Sequence, residues 1–285
     1  METVQNRVNA GKLYMDRLAL LGIDNGVAIV KECGGVQEDK TYTNKLKLLG
    51  AKGIAVQTDE GGVVLKGYDI DDRSSSIEIE VPDYITRIEP NMFDGVTSDI
   101  KLIYRGTGIK SMDYVFNGYR GKYIDLTSFN TSNVKSMRGL FLDCKLLKGV
   151  NLSNFSTRQV VDMGCMFDGC DSLETLDLSG FDTSKVKDMQ AMFQNCKSLR
   201  QLNLSSFHSD NVDITHSMFS GCTSLESIDL SNFCINKVRS VIYMFYRCRS
   251  LKKLNLLGLG IERANNERIN EMFDANWLLD EMDIG

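Results

Sequence analysis

Apolar residues recur along the chain with an almost constant period. A phenylalanine that ends a Met-Phe or similar pair returns every 25 or 26 residues, and the step lengthens to 28 only at the last repeat. This column consists of Phe116, Phe141, Phe167, Phe193, Phe219, Phe245 and Phe273. Self-similarity at a period in the twenties is typical of a solenoid, in which one supersecondary unit stacks on copies of itself. The pattern predicts a repeat array whose function lies on an extended surface.

The segment 171–196, DSLETLDLSGFDTSKVKDMQAMFQNC, represents one repeat. Leu176 and Leu178 alternate with polar residues, which predicts a short strand. From Met189 to Cys196, apolar residues fall at i, i+3, i+4 and i+7, which is one face of a helix of about two turns. The glycine or asparagine that precedes the cysteine suits a helix exit. Each unit, called a rung below, is therefore predicted to be strand, loop and short helix.

The repeat divides the chain into two regions. Residues 76–285 follow it, irregularly over 76–120 and regularly over 121–285, whereas residues 1–75 do not. In the first region, apolar positions from Val4 to Leu18 mark a helix face that ends near Gly22. Apolar runs at 27–31, 54–57, 63–68 and 77–81 predict strands, with a hairpin turn at 59–62. We expect a small α+β cap that covers the first rung.

Charge and hydropathy exclude some partners. The formal net charge is -5 and no run of Lys and Arg occurs, which argues against nucleic acid because phosphate contacts need clustered cations. No apolar stretch approaches the length of a membrane span, and the N-terminal residues are amphipathic, unlike a signal peptide. The sequence as written predicts a cytoplasmic protein without a membrane segment.

Cysteine usage follows the repeat. Five of the eight cysteines lie three residues after the repeating phenylalanine. A zinc site needs about four converging ligands, whereas these arrive one per rung, so buried reduced thiols are favoured over a disulfide or metal ladder. The phosphate-binding glycine motifs are absent, and no cofactor is predicted. The five residues are Cys144, Cys170, Cys196, Cys222 and Cys248.

The repeats LDLSGFDTSKVKDMQAMFQNCKSL, NLSNFSTRQVVDMGCMFDGCDSL and IDLSNFCINKVRSVIYMFYRCRSL resemble the BspA-type leucine-rich repeat of many bacterial surface and secreted proteins. The resemblance covers about residues 124–284. It implies an α/β fold in which a right-handed solenoid has a parallel sheet on one face. The repeat pattern predicts short helices on the other face. It also implies protein-binding or adhesive roles and keeps a cell-surface location as an alternative. Such families share no catalytic residues, so we predict a non-enzymatic protein.

The candidate site is a column of outward residues, one between each pair of inward strand residues. These alternate acid and amide: Asp125, Asn151, Asp177, Asn203, Asp229 and Asn255, with Asp283 expected next. Strands lie about 4.8 Å apart, so amides between carboxylates relieve repulsion. Two interpretations stay open, a stabilising ladder and the centre of a binding face. Neighbouring outward positions vary and complete the candidate set: Glu174, Arg200, Glu226, Lys252 and Lys253.

A uniform scaffold with a varied face suits macromolecular binding better than catalysis. The leading hypothesis is a non-enzymatic scaffold that binds another protein through the exposed face of the sheet. One alternative is a structural module that self-associates through the C-terminal end near Ile284. Another is an adhesin that binds host extracellular proteins.

Overall fold

The computed structural model describes residues 18–24, 27–32, 53–58, 60–68, 70, 74–233, 240–255, 271–273 and 283–284. Within these ranges the chain forms short strands that belong to three sheets. The strands are β1 (Leu18–Asp24), β2 (Val27–Glu32), β3 (Gly53–Gln57), β4 (Val63–Tyr68), β5 (Ser76–Glu80), β6 (Arg87–Ile88), β7 (Asp99–Ile103), β8 (Tyr123–Asp125), β9 (Gly149–Asn151), β10 (Gln201–Leu202), β11 (Ser227–Asp229), β12 (Lys253–Asn255) and β13 (Asp283–Ile284).

The first sheet has the order β1-β2-β3-β4-β6. The strands predicted within the first 81 residues are confirmed to within one residue, and the turn between β3 and β4 is closed by the Thr58 N–H, which donates to the Gly62 carbonyl at 2.8 Å. The predicted helix is wrong at its end, because β1 occupies Leu18–Asp24 and pairs with β2. Short apolar runs do not distinguish helix from strand, and the partner strand decides. The rest of that helix lies outside the described residues.

A separate α+β cap is not supported. Strand β4 pairs in parallel with β6, so that Val64 lies opposite Arg87 and Leu65 opposite Ile88. The first strands and the first irregular rung thus share one sheet. The predicted boundary at residue 75 stays a prediction.

Two parallel sheets, β5-β7-β8-β9 and β10-β11-β12-β13, carry the regular strand column. Equivalent residues of successive rungs pair directly, as Ile124 with Val150 and Ile228 with Leu254. This confirms parallel pairing between rungs. The strand predicted at Leu176 and Leu178 is wrong, because residues 173–178 form no strand and the column is divided there into two sheets. The last strand differs from expectation because Asp283 pairs with Lys253, two positions from the expected neighbour Asn255.

The short helix predicted in each rung is wrong; in the described part of the chain only residues 271–272 are helical. Residues 190–195 form consecutive turns, with left-handed φ angles of 51° at Ala191 and 56° at Asn195. The N–H groups of Ala191, Phe193 and Asn195 donate to carbonyls of the next rung at 2.9, 2.9 and 2.7 Å. They are therefore not available for helical bonds, and left-handed residues interrupt a right-handed helix.

The left-handed conformation recurs directly before each core cysteine. Gly169, Asn195 and Gly221 have φ angles of 76°, 56° and 77°. Glycine and asparagine tolerate this conformation best. The sequence signal for an exit residue was therefore correct, but it marks a turn between rungs rather than the end of a helix.

The core is built from columns of identical residues. The phenylalanine column is fully buried over most of its length, and it extends one rung earlier, to Phe93. Adjacent rings stack with centroids 4.7–5.8 Å apart and interplanar angles of 3–20°. Each ring thus covers the next, and an isolated rung could not bury its apolar side.

Candidate functional site

The outward face of the parallel sheets contains two open grooves. The larger, of about 660 Å³, crosses β5, β7, β8 and β9 and reaches Asp177. The smaller, of about 490 Å³, crosses β10, β11 and β12. The structure brings the acid and amide column together along the floors of these grooves. Asp125, Asn151 and Asp177 line the larger groove, and Asn203, Asp229 and Asn255 line the smaller.

Local backbone geometry fixes the orientation of these side chains. In each of the first five, one side-chain oxygen accepts the N–H of the residue two positions later, which is an Asx turn. The Oδ1 atoms of Asp125, Asp177 and Asp229 accept from Thr127, Ser179 and Ser231 at 2.9, 2.9 and 2.8 Å. Asn151 and Asn203 accept in the same way from Ser153 and Ser205, at 3.2 and 3.0 Å. Four of these residues lie at the end of a strand or directly after it, and Asp177 lies in a rung that forms no strand.

The Asx turn influences the charge of the carboxylates. The hydrogen bond from the Ser179 N–H lowers the pKa of the exposed Asp177 carboxyl. A carboxylate that accepts a backbone N–H is stabilised in its charged form. Asp177 is therefore anionic at neutral pH.

The remaining candidates occupy two different places. Lys253 lies in the smaller groove beside Asp229. Glu174, Arg200, Glu226 and Lys252 are exposed but do not line either groove. Backbone bonds join three of them in order, since the Glu226 N–H donates to the Arg200 carbonyl at 3.0 Å and the Lys252 N–H to the Glu226 carbonyl at 2.9 Å. These residues form a rim of alternating charge where the strands begin.

Sequence reasoning missed the first part of the face. Register pairs Glu78 with Lys101 and Lys101 with Asp125, so the column continues into the irregular rungs. Lys101 Nζ lies 2.7 Å from a Glu78 carboxylate oxygen. Asp99 and the half-exposed Tyr123 complete this part of the groove. The alternation in IEIE and IKLI was the available signal, but the loops that follow them differ in length from those of the regular rungs.

A second group of charges lies among the turns. Arg138 reaches across two rungs and donates to Asp162 at 3.1 Å and to Asp188 at 2.9 Å. The approach depends on Gly164, where a Cβ would lie 2.6 Å from the guanidinium. Burial raises the pKa of the Asp162 carboxyl, and Arg138 opposes that shift. All three side chains are about three-quarters covered, so this cluster clamps neighbouring rungs together.

The cysteine column lies in the core, as predicted. Each of its five thiols is fully buried and donates to a phenylalanine carbonyl of the preceding rung at 3.0–3.2 Å. Burial raises the pKa of Cys248 to about 12. These protonated thiols pack the core. Among the residues that the structure describes, no group of three or more His, Cys, Asp and Glu side chains could hold a metal ion.

Asp168 is a half-buried carboxyl whose titration affects stability. Burial raises its pKa to about 6, although Asn195 donates to it at 3.3 Å. A raised folded-state pKa means that the native state binds the proton more tightly, so the free energy of unfolding falls as pH rises from about 4 to about 6 and then levels off.

Asp168→Asn is expected to raise the free energy of unfolding at pH 7.5 by about 1 kcal/mol, allowing for solvent screening at this position. The gain should disappear near pH 3.5, where the carboxyl is protonated in both states. Urea unfolding of both proteins at several pH values measures the difference. A gain that is equal at all pH values would contradict the assignment to this carboxyl.

The described residues contain no helix whose length and apolar content would suffice to cross a membrane.

The chain is similar to solved structures of leucine-rich repeat proteins. A crystal structure of a leucine-rich repeat protein from Bacteroides ovatus ATCC 8483 is 17% identical, with 69% of this chain and 67% of that chain covered and a TM-score of 0.33. A second, from Eubacterium ventriosum ATCC 27560, is 13% identical, with 81% and 80% covered and a TM-score of 0.30. None of the curated proteins matches this sequence significantly.

The family model described as "Mycoplasma protein of unknown function, DUF285" matches residues 110–202 and 174–278. The two matched segments overlap and together span more than half of the chain. They include strands β8 to β12. The chain therefore belongs to the DUF285 family.

Proposed function

We propose that this chain is a non-enzymatic scaffold that binds another protein through the outward face of its parallel sheets. The observation that carries the proposal is the pair of open grooves, which together contain the whole acid and amide column and Lys253. Catalytic sites present convergent reactive groups in an enclosed pocket. Here the polar groups form a line along an open surface, which suits an extended macromolecular contact.

The rim contributes to the same surface. Glu174, Arg200, Glu226 and Lys252 border the strands with alternating charge. Charges around an interface orient the partner and select among partners more than they add affinity. The proposed binding surface therefore has a polar groove as its centre and this rim as its edge.

Charge reversal of the column tests the proposal. Asp177→Lys combined with Asp229→Lys should lower partner capture at least tenfold, because two carboxylates at the centre of the face become cations. The melting temperature should fall only modestly, since both side chains are exposed and lysine removes one Asx-turn bond at each position. Capture is measured with the protein as bait against lysate of its source cells and, separately, against a panel of extracellular host proteins.

The matched control reverses two exposed acids that lie in turns away from the face, Asp94 and Asp210. This variant should capture the same partner as the original chain. Equal capture by the face variant and the original chain would exclude this placement of the site. If a lysate protein is captured and the capture depends on the face, the chain is an intracellular scaffold. If an extracellular host protein is captured in the same way, the chain is an adhesin. Capture of only further copies of the chain favours self-association.

A further inference from the structure

We propose that a basic surface on two successive rungs, beside the larger groove, binds an acidic protein segment that carries apolar side chains among its carboxylates. This inference rests on the proposed function and names the chemistry of one part of the partner. The surface is called the basic patch, and it consists of Arg120, Lys122, Tyr123, Lys145, Leu146 and Lys148.

Stacking of the rungs brings the cations of the basic patch together. They belong to two segments, 119–123 and 143–149, which are joined where the N–H groups of Lys148 and Gly149 donate to the Lys122 carbonyl at 2.8 and 3.3 Å. The two segments contain four cations and one carboxylate, a net charge of +3, in a chain whose formal net charge is -5. A local excess of positive charge attracts an acidic partner and excludes a basic one.

The cations of the basic patch are not engaged by the chain itself. Within the part of the chain that the structure describes, no ion pair or hydrogen bond involves the side chains of Arg120, Lys122 or Lys148. Lys145 Nζ lies 3.5 Å from an Asp143 carboxylate oxygen, and both side chains are more than half exposed. An exposed pair of this kind contributes little to stability. The cations are therefore available to carboxylates of a partner.

Two large apolar side chains lie among these cations. Tyr123 is 53% exposed and Leu146 is 51% exposed. The residue opposite Tyr123 on β9 is Gly149, which has no side chain to cover the ring on that side. Tyrosine and arginine are enriched in protein interfaces, where aromatic anchors supply much of the affinity. The basic patch thus combines charge with apolar contact area.

Leu146 departs from the repeat at a position where the fold does not need an apolar residue. It lies two residues after a core cysteine, and the next residue, Leu147, is the buried one. The other four regular rungs have serine at this position: Ser172, Ser198, Ser224 and Ser250. Leucine here adds exposed apolar surface to the one rung that also contributes Lys145 and Lys148. This departure favours a binding role over a structural one.

The backbone below the basic patch is held in place by buried groups. The N–H groups of Lys122 and Tyr123 both donate to Asp99 Oδ1, at 3.0 and 2.9 Å. The buried Tyr119 hydroxyl lies 2.8 and 2.9 Å from the carbonyl oxygens of Ser98 and Tyr123. A partner therefore orders only side chains when it binds, which keeps the entropic cost of association low.

The surrounding charges favour a protein segment over a membrane surface. Asp143 lies within the basic patch, and the exposed Glu174 takes the place of Lys148 in the next rung. A flat anionic membrane would meet these carboxylates together with the cations, whereas a segment can place its own carboxylates over the cations alone. Tyr123 also lines the larger groove, so a partner that lies in this groove can continue onto the basic patch.

The test uses three synthetic peptides. The first has glutamates on both sides of a central phenylalanine and leucine. The second has serine in place of both apolar residues, and the third keeps the apolar residues but has glutamine in place of glutamate. Binding to the full chain is measured by titration calorimetry at low and at physiological ionic strength. The first peptide is expected to bind at least about fivefold more tightly than either of the others, and more weakly at the higher ionic strength.

Two variants locate the binding site. Lys122→Gln with Lys148→Gln removes two cations, and Tyr123→Ser with Leu146→Ser removes the apolar contact area. Each should weaken binding of the first peptide at least about fivefold. The midpoint of urea unfolding should not change, because all four side chains are exposed and serine is the residue that other rungs have at the position of Leu146.

The matched control combines Lys135→Gln, Lys187→Gln and Val161→Ser. These three residues are also exposed and occupy equivalent positions in three successive rungs, since the Val161 N–H donates to the Lys135 carbonyl and the Lys187 N–H to the Val161 carbonyl. They lie outside the basic patch. This variant should bind the first peptide as the original chain does.

The inference fails if the first peptide does not bind, if it binds no more tightly than the other two, or if either patch variant retains full affinity. Sedimentation with vesicles of phosphatidylserine and phosphatidylcholine tests the membrane. Binding to anionic vesicles that the patch variants abolish, without binding of the peptide, would assign the basic patch to a lipid surface instead.

The dependence of partner capture on Asp177 and Asp229 separates this inference from the proposed function. If capture depends on these residues but the peptide results are negative, the scaffold function stands and only the chemistry proposed for the basic patch fails. If capture does not depend on them, the placement of the scaffold site on the groove column fails whatever the peptides do.

Discussion

Phe193→Ala is expected to lower the free energy of unfolding by about 3–5 kcal/mol, the range for loss of a buried aromatic side chain. The ring is fully buried, and its centroid lies 5.8 Å from that of Phe167 and 5.6 Å from that of Phe219. Truncation leaves a cavity in the middle of the column and removes two stacking contacts at once. Equilibrium unfolding in guanidinium chloride, followed by circular dichroism, measures the loss.

Phe193→Leu is the matched control, because it keeps most of the apolar volume and removes only the ring. It should cost clearly less than the alanine variant. In a solenoid each rung contacts only its neighbours, so the alanine variant is also expected to separate unfolding of the two halves and broaden the transition. A loss below about 1 kcal/mol with an unchanged transition width would show that the column does not couple the rungs.

Thr183→Val is expected to cost about 2–4 kcal/mol, although the two side chains have nearly the same shape. The Thr183 hydroxyl is fully buried, donates to the His208 carbonyl at 2.8 Å and accepts the His208 N–H at 2.7 Å. Valine would leave both backbone groups of the next rung without a partner, at about 1–3 kcal/mol for each. Chemical unfolding at neutral pH provides the measurement.

The same substitution at Thr175, which is exposed on the sheet face, is the control and should change stability by less than about 0.5 kcal/mol. Thr131 and Thr157 make the same pair of bonds to Ser156 and Asp182. Similar losses of stability at Thr131 and Thr157 would show that these threonine hydroxyls connect successive rungs throughout the array. Equal costs for the variants at Thr175 and Thr183 would contradict this role.

Periodicity identified the inward residues correctly but gave the wrong backbone for half of each rung. The positions from Met189 to Cys196 that the pattern placed inside are buried. A compact series of turns buries the same positions as two turns of helix, so the pattern alone does not separate them. Backbone hydrogen bonds between rungs, such as that of Phe193, stabilise turns rather than a helix. These bonds form only when the rungs stack.

The candidate face was predicted in part. The alternation of acid and amide located Asp125 to Asn255, and the grooves contain this column. Its continuation through Lys101 and Glu78 depends on strand register in rungs of irregular length. Thr183 bonds to the backbone of the next rung, a contact that the repeat pattern did not indicate. A sequence window contains one rung, so it does not show contacts between rungs.

The sequence by itself determined the repeat, the parallel stacking of strands, the buried phenylalanine and cysteine columns and the outward polar column. These follow from which side chains avoid water at each position of the period, a local property of every unit. Only the tertiary structure decided the turns in place of helices, the register of β13, the clamp of Arg138 and the Asx-turn geometry of the face. Backbone groups take the partners that neighbouring rungs provide, and those partners are about 25 residues away in the chain.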